Sequence, residues 1–188
     1  MKVAICEFGA GNVCSVELAL RRLGAAITLD VDGADLAVLP GVGSARTAAA
    51  GLRARGHDTA LRRRVARGLP VLGICLGLQL ALDETEEDGG VAGLGLVPGR
   101  AVRLRDGRVP RIGWADVSDA DGDARGAFYF AHSYAAETDC ATAWSEGVVA
   151  EVRRGSFVGC QFHPEKSGAA GARYLAAILK ETRSRSLV

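Results

Sequence analysis

Three short apolar runs that end at turn residues constrain the fold of this chain most strongly. They are residues 2–6 (KVAIC), 35–39 (DLAVL) and 70–74 (PVLGI). Continuous apolar runs of this length are typical of parallel strands that are buried on both faces. Because segments with helical patterns separate them, the first half of the chain predicts an α/β fold with a mostly parallel central sheet flanked by helices.

The segments between these predicted strands have helical periodicity. Asn12 is a suitable cap for a first helix, which Gly24 ends. The apolar residues of this helix recur at helical spacing and are Val13, Val16, Leu20 and Leu23. The chain therefore begins with a strand, helix, strand unit. Glycines break the chain after the second strand, one or two helices follow through residue 67, and a further helix begins after Cys75.

From about residue 94 the pattern changes to short alternating segments. The turn signals Asp106-Gly107 and Glu146-Gly147 predict antiparallel strands and hairpins. A last helix follows, for which Ser167 is a suitable cap. We expect residues 1–188 to form a single domain, an α/β sheet with a β-rich antiparallel extension.

Charge and cysteine content exclude several classes of function. Lys plus Arg (23) nearly balance Asp plus Glu (22), so the net charge does not favour nucleic acid, a membrane surface or a polyanionic substrate. Five scattered cysteines without a CxxC pair fit neither a disulfide framework nor a zinc site, and we expect no metal and no organic cofactor. A reducing cytoplasm is the simplest setting, and no apolar run approaches the length that crosses a bilayer.

The segment Gly73-Ile74-Cys75-Leu76-Gly77 lies at a predicted strand-to-helix junction and has the form of a nucleophile elbow. A strained turn brings neighbouring backbone close to both glycines, where only a residue without a Cβ fits. The following helix directs its N-terminus at Cys75 and favours the thiolate. The alternative is a buried structural cysteine in a glycine-rich turn.

A cysteine nucleophile needs a base, and the chain contains three histidines. His57 lies in a polar, Arg-rich stretch and is expected to be solvated. His163 follows an apolar strand, and Pro164 favours extended backbone, in which residues i and i+2 share a side. Glu165 can then orient the His163 imidazole. The alternatives are a strand-end histidine with a solvated glutamate and, for His132, which has no carboxylate at i+2, a core histidine.

Two motifs together resemble those of the class I, or triad, glutamine amidotransferases: GICLG at 73–77 and QFHPEKS at 161–167. Further stretches narrow the resemblance to the glutaminase subunits of imidazole glycerol phosphate synthase. These stretches are FGAGN at 8–12, LPGVG at 39–43, IGW at 112–114 and YFAHSY at 129–134. The resemblance covers essentially the whole chain and implies a flavodoxin-like fold with a Cys75, His163, Glu165 triad.

Attack of Cys75 on an amide carbonyl would form an oxyanion, which needs preorganised donors. The Leu76 N–H is a natural donor. The family implies a second donor from the loop Gly41, Val42 and Gly43, and this loop could switch activity when a partner protein binds its ligand. On spacing alone, this loop is equally well a plain turn. By resemblance, the residues that recognise the amino acid end of glutamine are Gln79, Glu87, His132, Ser133 and Tyr134. Without the family, Gln79 would be interpreted as a solvated helix residue.

The resemblance also implies a partner, a (β/α)8-barrel cyclase subunit that forms a heterodimer with the chain and receives its ammonia in histidine biosynthesis. Asn12 and Trp114 are expected at this interface, although Trp114 could instead be a core aromatic. The sequence departs from the family pattern at Phe8, Arg111, Ile112 and Ala115. These departures lie in regions that face the synthase in the family, so they bear on docking and spare the triad.

The predicted function is hydrolysis of L-glutamine to glutamate and ammonia through a cysteinyl thioester. Two alternatives remain open. A glutaminase of the same fold could supply a different synthase, or the chain could be a non-catalytic regulatory module that kept the fold. A cysteine peptidase is disfavoured by the combination of Gln79 with the HPEKS motif.

Overall fold

The computed structural model of the chain describes residues 1–9 and 13–185. Its α-helices are α1 (Val13–Arg22), α2 (Ala45–Ala54), α3 (His57–Ala66), α4 (Leu76–Ala81) and α5 (Gly168–Arg185). Its strands are β1 (Lys2–Ile5), β2 (Ala26–Thr28), β3 (Leu36–Leu39), β4 (Val71–Ile74), β5 (Glu84–Thr85), β6 (Val91–Ala92), β7 (Arg100–Arg103), β8 (Arg111–Asp119), β9 (Ala124–His132), β10 (Tyr134–Glu137), β11 (Ala141–Ser145), β12 (Val148–Arg154) and β13 (Phe157–Cys160). Short 3₁₀ turns cover Glu87–Gly89 and Pro164–Lys166.

A nine-stranded sheet runs through the described residues in the order β2-β1-β3-β4-β13-β12-β11-β8-β9. Pairing is parallel from β2 to β13 and antiparallel from β13 to β9. A smaller sheet has the order β10-β7-β5-β6. This arrangement confirms the predicted α/β fold, with a parallel sheet that continues into an antiparallel extension.

Helices cover both faces of the parallel strands. One hydrophobic cluster contains Leu52 of α2, Leu61 of α3 and Leu78 of α4, and the other contains Leu20 of α1 and Leu175 of α5. All residues of β3 and β4 are buried, as expected for strands that helices cover on both faces. The carboxyl ends of these two central strands lead into the Gly41–Gly43 loop and into Cys75.

Two details of the strand prediction were wrong. Residues 26–28 form β2, a short parallel strand between α1 and β3, so the first unit contains one more strand than predicted. Asp106-Gly107 does not close a hairpin, because it connects β7 of the small sheet to β8 of the large sheet. A turn signal specifies a local reversal of the chain and not the sheet that the next strand joins.

The second turn signal does form a hairpin. Glu146 and Gly147 link β11 to β12, with Ser145 opposite Val148, and both loop residues have positive φ (51° and 79°). Two consecutive residues with positive φ are the signature of a type I′ hairpin turn. Among the described helices, none combines the length and the hydropathy that a bilayer crossing requires.

Candidate active site

Cys75 lies between β4 and α4 in a strained backbone conformation, with φ of 52° and ψ of −109°. A Cβ at Gly77 would lie 2.0 Å from the Leu39 carbonyl oxygen, and one at Gly73 would lie 2.9 Å from a ring carbon of Phe157. Neither position accepts a side chain without movement of its neighbours. The structure therefore forms the predicted elbow and shows why both flanking residues are glycines.

His163 and Glu165 form a buried pair beside Cys75. His163 Nδ1 lies 2.9 Å from Glu165 Oε1, and both side chains are almost inaccessible to solvent. His163 also hydrogen-bonds Cys75, and because Glu165 occupies Nδ1, the Nε2 atom is the one available to the sulfur. The three residues of the predicted triad thus lie together, and the alternative of a solvated glutamate is wrong.

The backbone that brings Glu165 to His163 differs from the prediction. His163 itself is extended (φ −102°, ψ 91°), but Pro164–Lys166 form a 3₁₀ turn instead of continuing the extended chain. The Lys166 N–H donates to the His163 carbonyl at 3.0 Å. The turn folds Glu165 back onto the imidazole, so the pair forms through a tight turn and not through strand alternation.

Burial lowers the pKa of His163, but hydrogen bonds to Cys75 and Glu165, together with their negative charges, outweigh this effect and raise it to about 9. The imidazole is therefore protonated at neutral pH. A protonated imidazole next to a sulfur can stabilise a thiolate and can carry a proton for a leaving group.

Ser167 fixes the position of His163. Its hydroxyl donates to the His163 carbonyl at 2.6 Å and accepts from the Tyr129 N–H at 3.0 Å, while the His163 N–H donates to the Tyr129 carbonyl at 2.8 Å. Ser167 precedes the last helix as predicted, and its carbonyl accepts from the Gly171 N–H at 3.1 Å, but its hydroxyl is engaged by His163 and Tyr129. Although α5 begins at the next residue, this hydroxyl connects the histidine turn to β9.

A pocket of about 250 Å³ opens above Cys75. Its lining combines segments that are distant in the sequence, and it includes every predicted oxyanion and substrate-binding residue. The lining residues among these predictions are Gly41, Val42, Gly43, Cys75, Leu76, Gln79, Glu87, His132, Ser133, Tyr134 and His163. Glu165 does not line the pocket, since it lies behind His163. The arrangement can accept a small ligand directly over the sulfur.

The Gly41–Gly43 loop packs directly on the start of α4. A Cβ at Gly41 would lie 2.3 Å from the Gly77 nitrogen and 2.5 Å from the Leu76 Cβ, and Gly43 has φ of 107°. Glycine is thus required for this close approach and for this backbone conformation. Because the loop contacts the elbow, it is not an isolated surface turn. The role of the loop in oxyanion binding stays a prediction.

Gln79 is only 4% exposed, so the alternative of a solvated helix residue is wrong. Its Nε2 donates to the Tyr134 carbonyl at 2.8 Å and to Gln161 Oε1 at 3.1 Å. These bonds use both amide hydrogens, so Oε1 is the atom that Gln79 can offer to a ligand.

His132 and Glu87 are also held by backbone groups. His132 Nδ1 lies 2.9 Å from the Tyr134 carbonyl oxygen, and burial lowers its pKa to about 4, so the ring is neutral and Nδ1–H donates. Its buried Nε2 has no partner within the described residues. Glu87 accepts from the Ala45 N–H at 3.2 Å, and burial, followed by the charge of Asp88, raises its pKa. Both side chains present acceptors at the pocket.

Gln161 is a site residue that the sequence reasoning missed. It is completely buried, and its Nε2 lies 3.5 Å from Cys75 Sγ. The signal that could have found it is its position two residues before His163 at the end of the same predicted strand, since alternate residues share a side.

The structure describes part of the surface of this chain that is predicted to contact the partner. Trp114 and Ile112 are 60% and 65% exposed on β8, so the alternative of a core aromatic for Trp114 is wrong. Asn12 lies outside the described residues. Phe8 is buried in the core, so its difference from the family pattern does not alter an exposed surface. Arg111 bonds Ser145 Oγ at 2.8 Å and lies over the Phe130 ring.

Ala115 is partly buried against the core. Within residues 1–9 and 13–185, no three His, Cys, Asp or Glu side chains converge as a metal site would require.

Comparisons with known proteins agree with this geometry. The profile of the family "Glutamine amidotransferase class-I" matches residues 12–181. A solved glutamine amidotransferase superposes with a TM-score of 0.76 at 22% identity, over 96% of this chain and 98% of that chain. The structure of PurLQS from Thermotoga maritima superposes with a TM-score of 0.74 at 18% identity, over 96% of this chain and 98% of that chain. These two likenesses show the fold.

Two curated relatives are closer in sequence. The imidazole glycerol phosphate synthase subunit HisH of Symbiobacterium thermophilum is 44% identical, over 93% of this chain and 92% of that protein. The HisH subunit of Methanothermobacter thermautotrophicus is 39% identical, over 97% and 100%. The chain belongs to the class I glutamine amidotransferase family and is an enzyme of that class. Within the family it groups with the HisH subunits of imidazole glycerol phosphate synthase, as the motifs predicted.

Proposed function

We propose that this protein is the glutaminase subunit of imidazole glycerol phosphate synthase and hydrolyses L-glutamine by a Cys75, His163, Glu165 triad. The observation that carries the proposal is the buried His163–Glu165 pair bonded to the elbow cysteine at the base of one pocket. A structural cysteine would need neither the strained backbone nor a protonated histidine beside it.

In the proposed reaction, the Cys75 thiolate attacks the side-chain amide carbon of glutamine and forms a tetrahedral oxyanion. His163 gives its proton to the departing nitrogen, ammonia leaves, and a glutamyl thioester remains. Neutral His163 then takes a proton from water as the hydroxide attacks the thioester. The thiolate leaves, glutamate is released, and His163 is protonated again. Glu165 holds the imidazole and stabilises its charged form.

Backbone donors at the elbow would stabilise the oxyanion. The Leu76 N–H is the first, and the second comes from the Gly41, Val42, Gly43 loop, which packs against Leu76. A loop at this distance can supply or withdraw a peptide N–H by a small backbone rotation. We propose that it is the activity switch.

The amino acid end of glutamine would be recognised by groups on the pocket wall. Gln79 Oε1, the Glu87 carboxylate and neutral His132 Nε2 are all acceptors, which suits the ammonium group of the substrate. Ser133 and Tyr134 complete this part of the lining. Several acceptors around one ammonium group would favour an amino acid over a simple amide.

The pH dependence tests the role of Glu165. Because Glu165 is one of the groups that raise the His163 pKa to about 9, Glu165→Gln should lower that pKa. The general acid is then lost at lower pH, so the alkaline limb of the kcat profile should move down by about one pH unit. Measurement of glutamate release between pH 6 and 10 checks this expectation. An alkaline limb that does not move would assign it to a different group.

The proposed partner is a (β/α)8-barrel cyclase subunit in a heterodimer that receives ammonia through a closed passage. Water would protonate free ammonia and destroy its nucleophilicity, so direct delivery protects it. Support comes from the HisH relatives and from the exposed Trp114 and Ile112 on β8. The prediction that Asn12 contributes remains, although Asn12 is outside the described residues.

Trp114→Ala is expected to weaken cyclase binding about 30-fold, roughly 2 kcal/mol, because an exposed tryptophan offers a large area for burial. Titration calorimetry with the cyclase subunit measures this change. Leu29→Ala is the matched control, since Leu29 is 89% exposed and lies away from β8, between β2 and β3. Equal affinities for the two variants would place the docking surface elsewhere.

The direct test of the proposed function is glutamate release by the wild-type chain alone and with the cyclase subunit carrying its nucleotide ligand. We expect strong release only in the complete mixture. Glutamate release at the same rate with and without the cyclase would favour the alternative of a glutaminase for another synthase. Absence of release in both mixtures would favour a non-catalytic module.

Two simpler proposals complete this assignment. We propose that residues 1–188 form one domain, which is supported by the pairing of β13 from the second half with β4 from the first. We also propose that the protein works in the cytoplasm, because all five cysteines are free thiols.

A further inference from the structure

Strand register brings Gln161 next to Cys75. β13 runs parallel to β4, with Cys160 opposite the last residue of β4, and the Cys75 N–H donates to the Cys160 carbonyl at 2.7 Å. The next residue along each segment is Cys75 on one and Gln161 on the other, so these two are neighbours. Since alternate residues of an extended segment share a side, Gln161 and His163 both face the Cys75 sulfur.

A chain of hydrogen bonds fixes which end of the Gln161 amide meets the sulfur. The Tyr134 carbonyl can only accept, so Gln79 presents its amide nitrogen there, at 2.8 Å. The second hydrogen on that nitrogen is donated to Gln161 Oε1 at 3.1 Å. With its oxygen committed to Gln79, Gln161 directs Nε2 at Cys75 Sγ, 3.5 Å away. The opposite orientation would set two amide nitrogens against each other.

Gln161 acts away from the substrate. It is completely buried and is not among the described residues that line the pocket. Any effect of its side chain on the reaction must therefore operate through Cys75 or through Gln79.

We propose that Gln161 is a positioning residue for the reaction, whose amide donates a hydrogen bond to Cys75 Sγ, favours the thiolate and holds the sulfur beneath the pocket. A donor to an ionised acceptor is stronger than one to a neutral acceptor. The bond is therefore strongest before attack and again when the thiolate leaves the thioester, and weakest while sulfur is acylated. Gln161 transfers no proton, and together with His163 it gives the sulfur two donors.

The role on turnover rests on the proposed glutaminase activity, but the effect on the thiol does not, so the first measurement is alkylation. Iodoacetamide labelling of Cys75, followed by peptide mass mapping, reports the thiolate directly. In Gln161→Met, which keeps the side-chain length and removes the donor, labelling at pH 7 should be about 10-fold slower. The two rates should converge to within about twofold as the pH is raised to 10, because high pH favours the thiolate without help from a donor.

A second variant separates the two contacts of Gln161. Gln161→Glu keeps an oxygen acceptor for Gln79 and replaces the donor at the sulfur by a carboxylate oxygen. Labelling at pH 7 should then be slower than in Gln161→Met. In the active complex, kcat for glutamine should fall at least about 10-fold while KM stays within about twofold, because Gln79 keeps its partner.

Cys160→Ala is the matched control, because Cys160 is equally buried and adjacent, and its thiol bonds the Phe162 carbonyl at 3.5 Å. In the Cys160→Ala variant, Cys75 should be labelled at the same rate as in the wild-type protein. Unchanged labelling in both Gln161 variants, or a raised KM with unchanged kcat, would overturn the proposal. Slower labelling in a chain that does not hydrolyse glutamine would support Gln161 and reject the glutaminase function. If Gln161→Met does not fold, the labelling rate of Cys75 in Gln161→Glu decides the test.

Discussion

Replacement of His163 by alanine is expected to lower kcat for glutamine hydrolysis about 10⁴-fold, and Cys75→Ala should have an effect of similar size. His163 serves twice in the proposed cycle, first as the acid for ammonia and then as the base for water. It also provides the charge beside the sulfur, since its pKa is raised to about 9. Without it, the nucleophile loses its partner and the leaving nitrogen its proton.

The double variant makes the test sharper. Residues that act as one unit have non-additive effects, so Cys75→Ala combined with His163→Ala should be no slower than either single variant. Glutamate release in the complex with the cyclase measures all three rates. His57→Ala is the control, because His57 starts α3 outside the pocket and should change kcat less than about twofold. A His163→Ala variant that retains more than a tenth of wild-type activity would contradict the assignment.

Replacement of Arg64 by methionine is expected to reduce the free energy of unfolding by about 3 kcal/mol. Arg64 is completely buried on α3, and its guanidinium donates to the carbonyls of Val31 at 2.7 Å, Ala34 at 2.9 Å and Pro70 at 3.1 Å. The same group bonds two further carbonyls within residues 32–35. Methionine fills a similar volume but donates nothing, so the Val31 and Ala34 carbonyls lose the Arg64 donor, while the Pro70 carbonyl keeps the Ala37 N–H at 3.2 Å.

Arg64 also connects the fold to the site. The carbonyls that it binds precede β3 and β4, the two strands that carry the Gly41–Gly43 loop and Cys75 at their other ends. Urea unfolding of the free chain measures the expected loss. Arg63→Ala is the matched control, because Arg63 is half exposed and pairs with Asp32 at the surface, where an ion pair contributes at most about 1 kcal/mol. Equal losses in both variants would mean that solvent satisfies the freed carbonyls.

Much of the candidate site was predictable because its key features are local. The spacing of two glycines around Cys75 specifies the elbow, and the structure shows backbone and ring atoms where their side chains would lie. His163 and Glu165 are two residues apart, so their contact could be predicted even though the backbone between them is a 3₁₀ turn. The three apolar runs predicted the buried parallel strands for a similar reason, since each is complete within five residues.

The sequence by itself thus determined three parallel strands of the central sheet, the strained turn at Cys75 and the histidine–glutamate pair. Only the tertiary structure decided that Asp106-Gly107 joins two sheets, that the Ser167 hydroxyl holds His163, and that Gln161 meets a sulfur 86 residues away. Preferences of short segments follow from their own side chains and backbone. Contacts between distant segments depend on the pairing and register of whole strands, here β4 with β13, which the packing of the complete core selects.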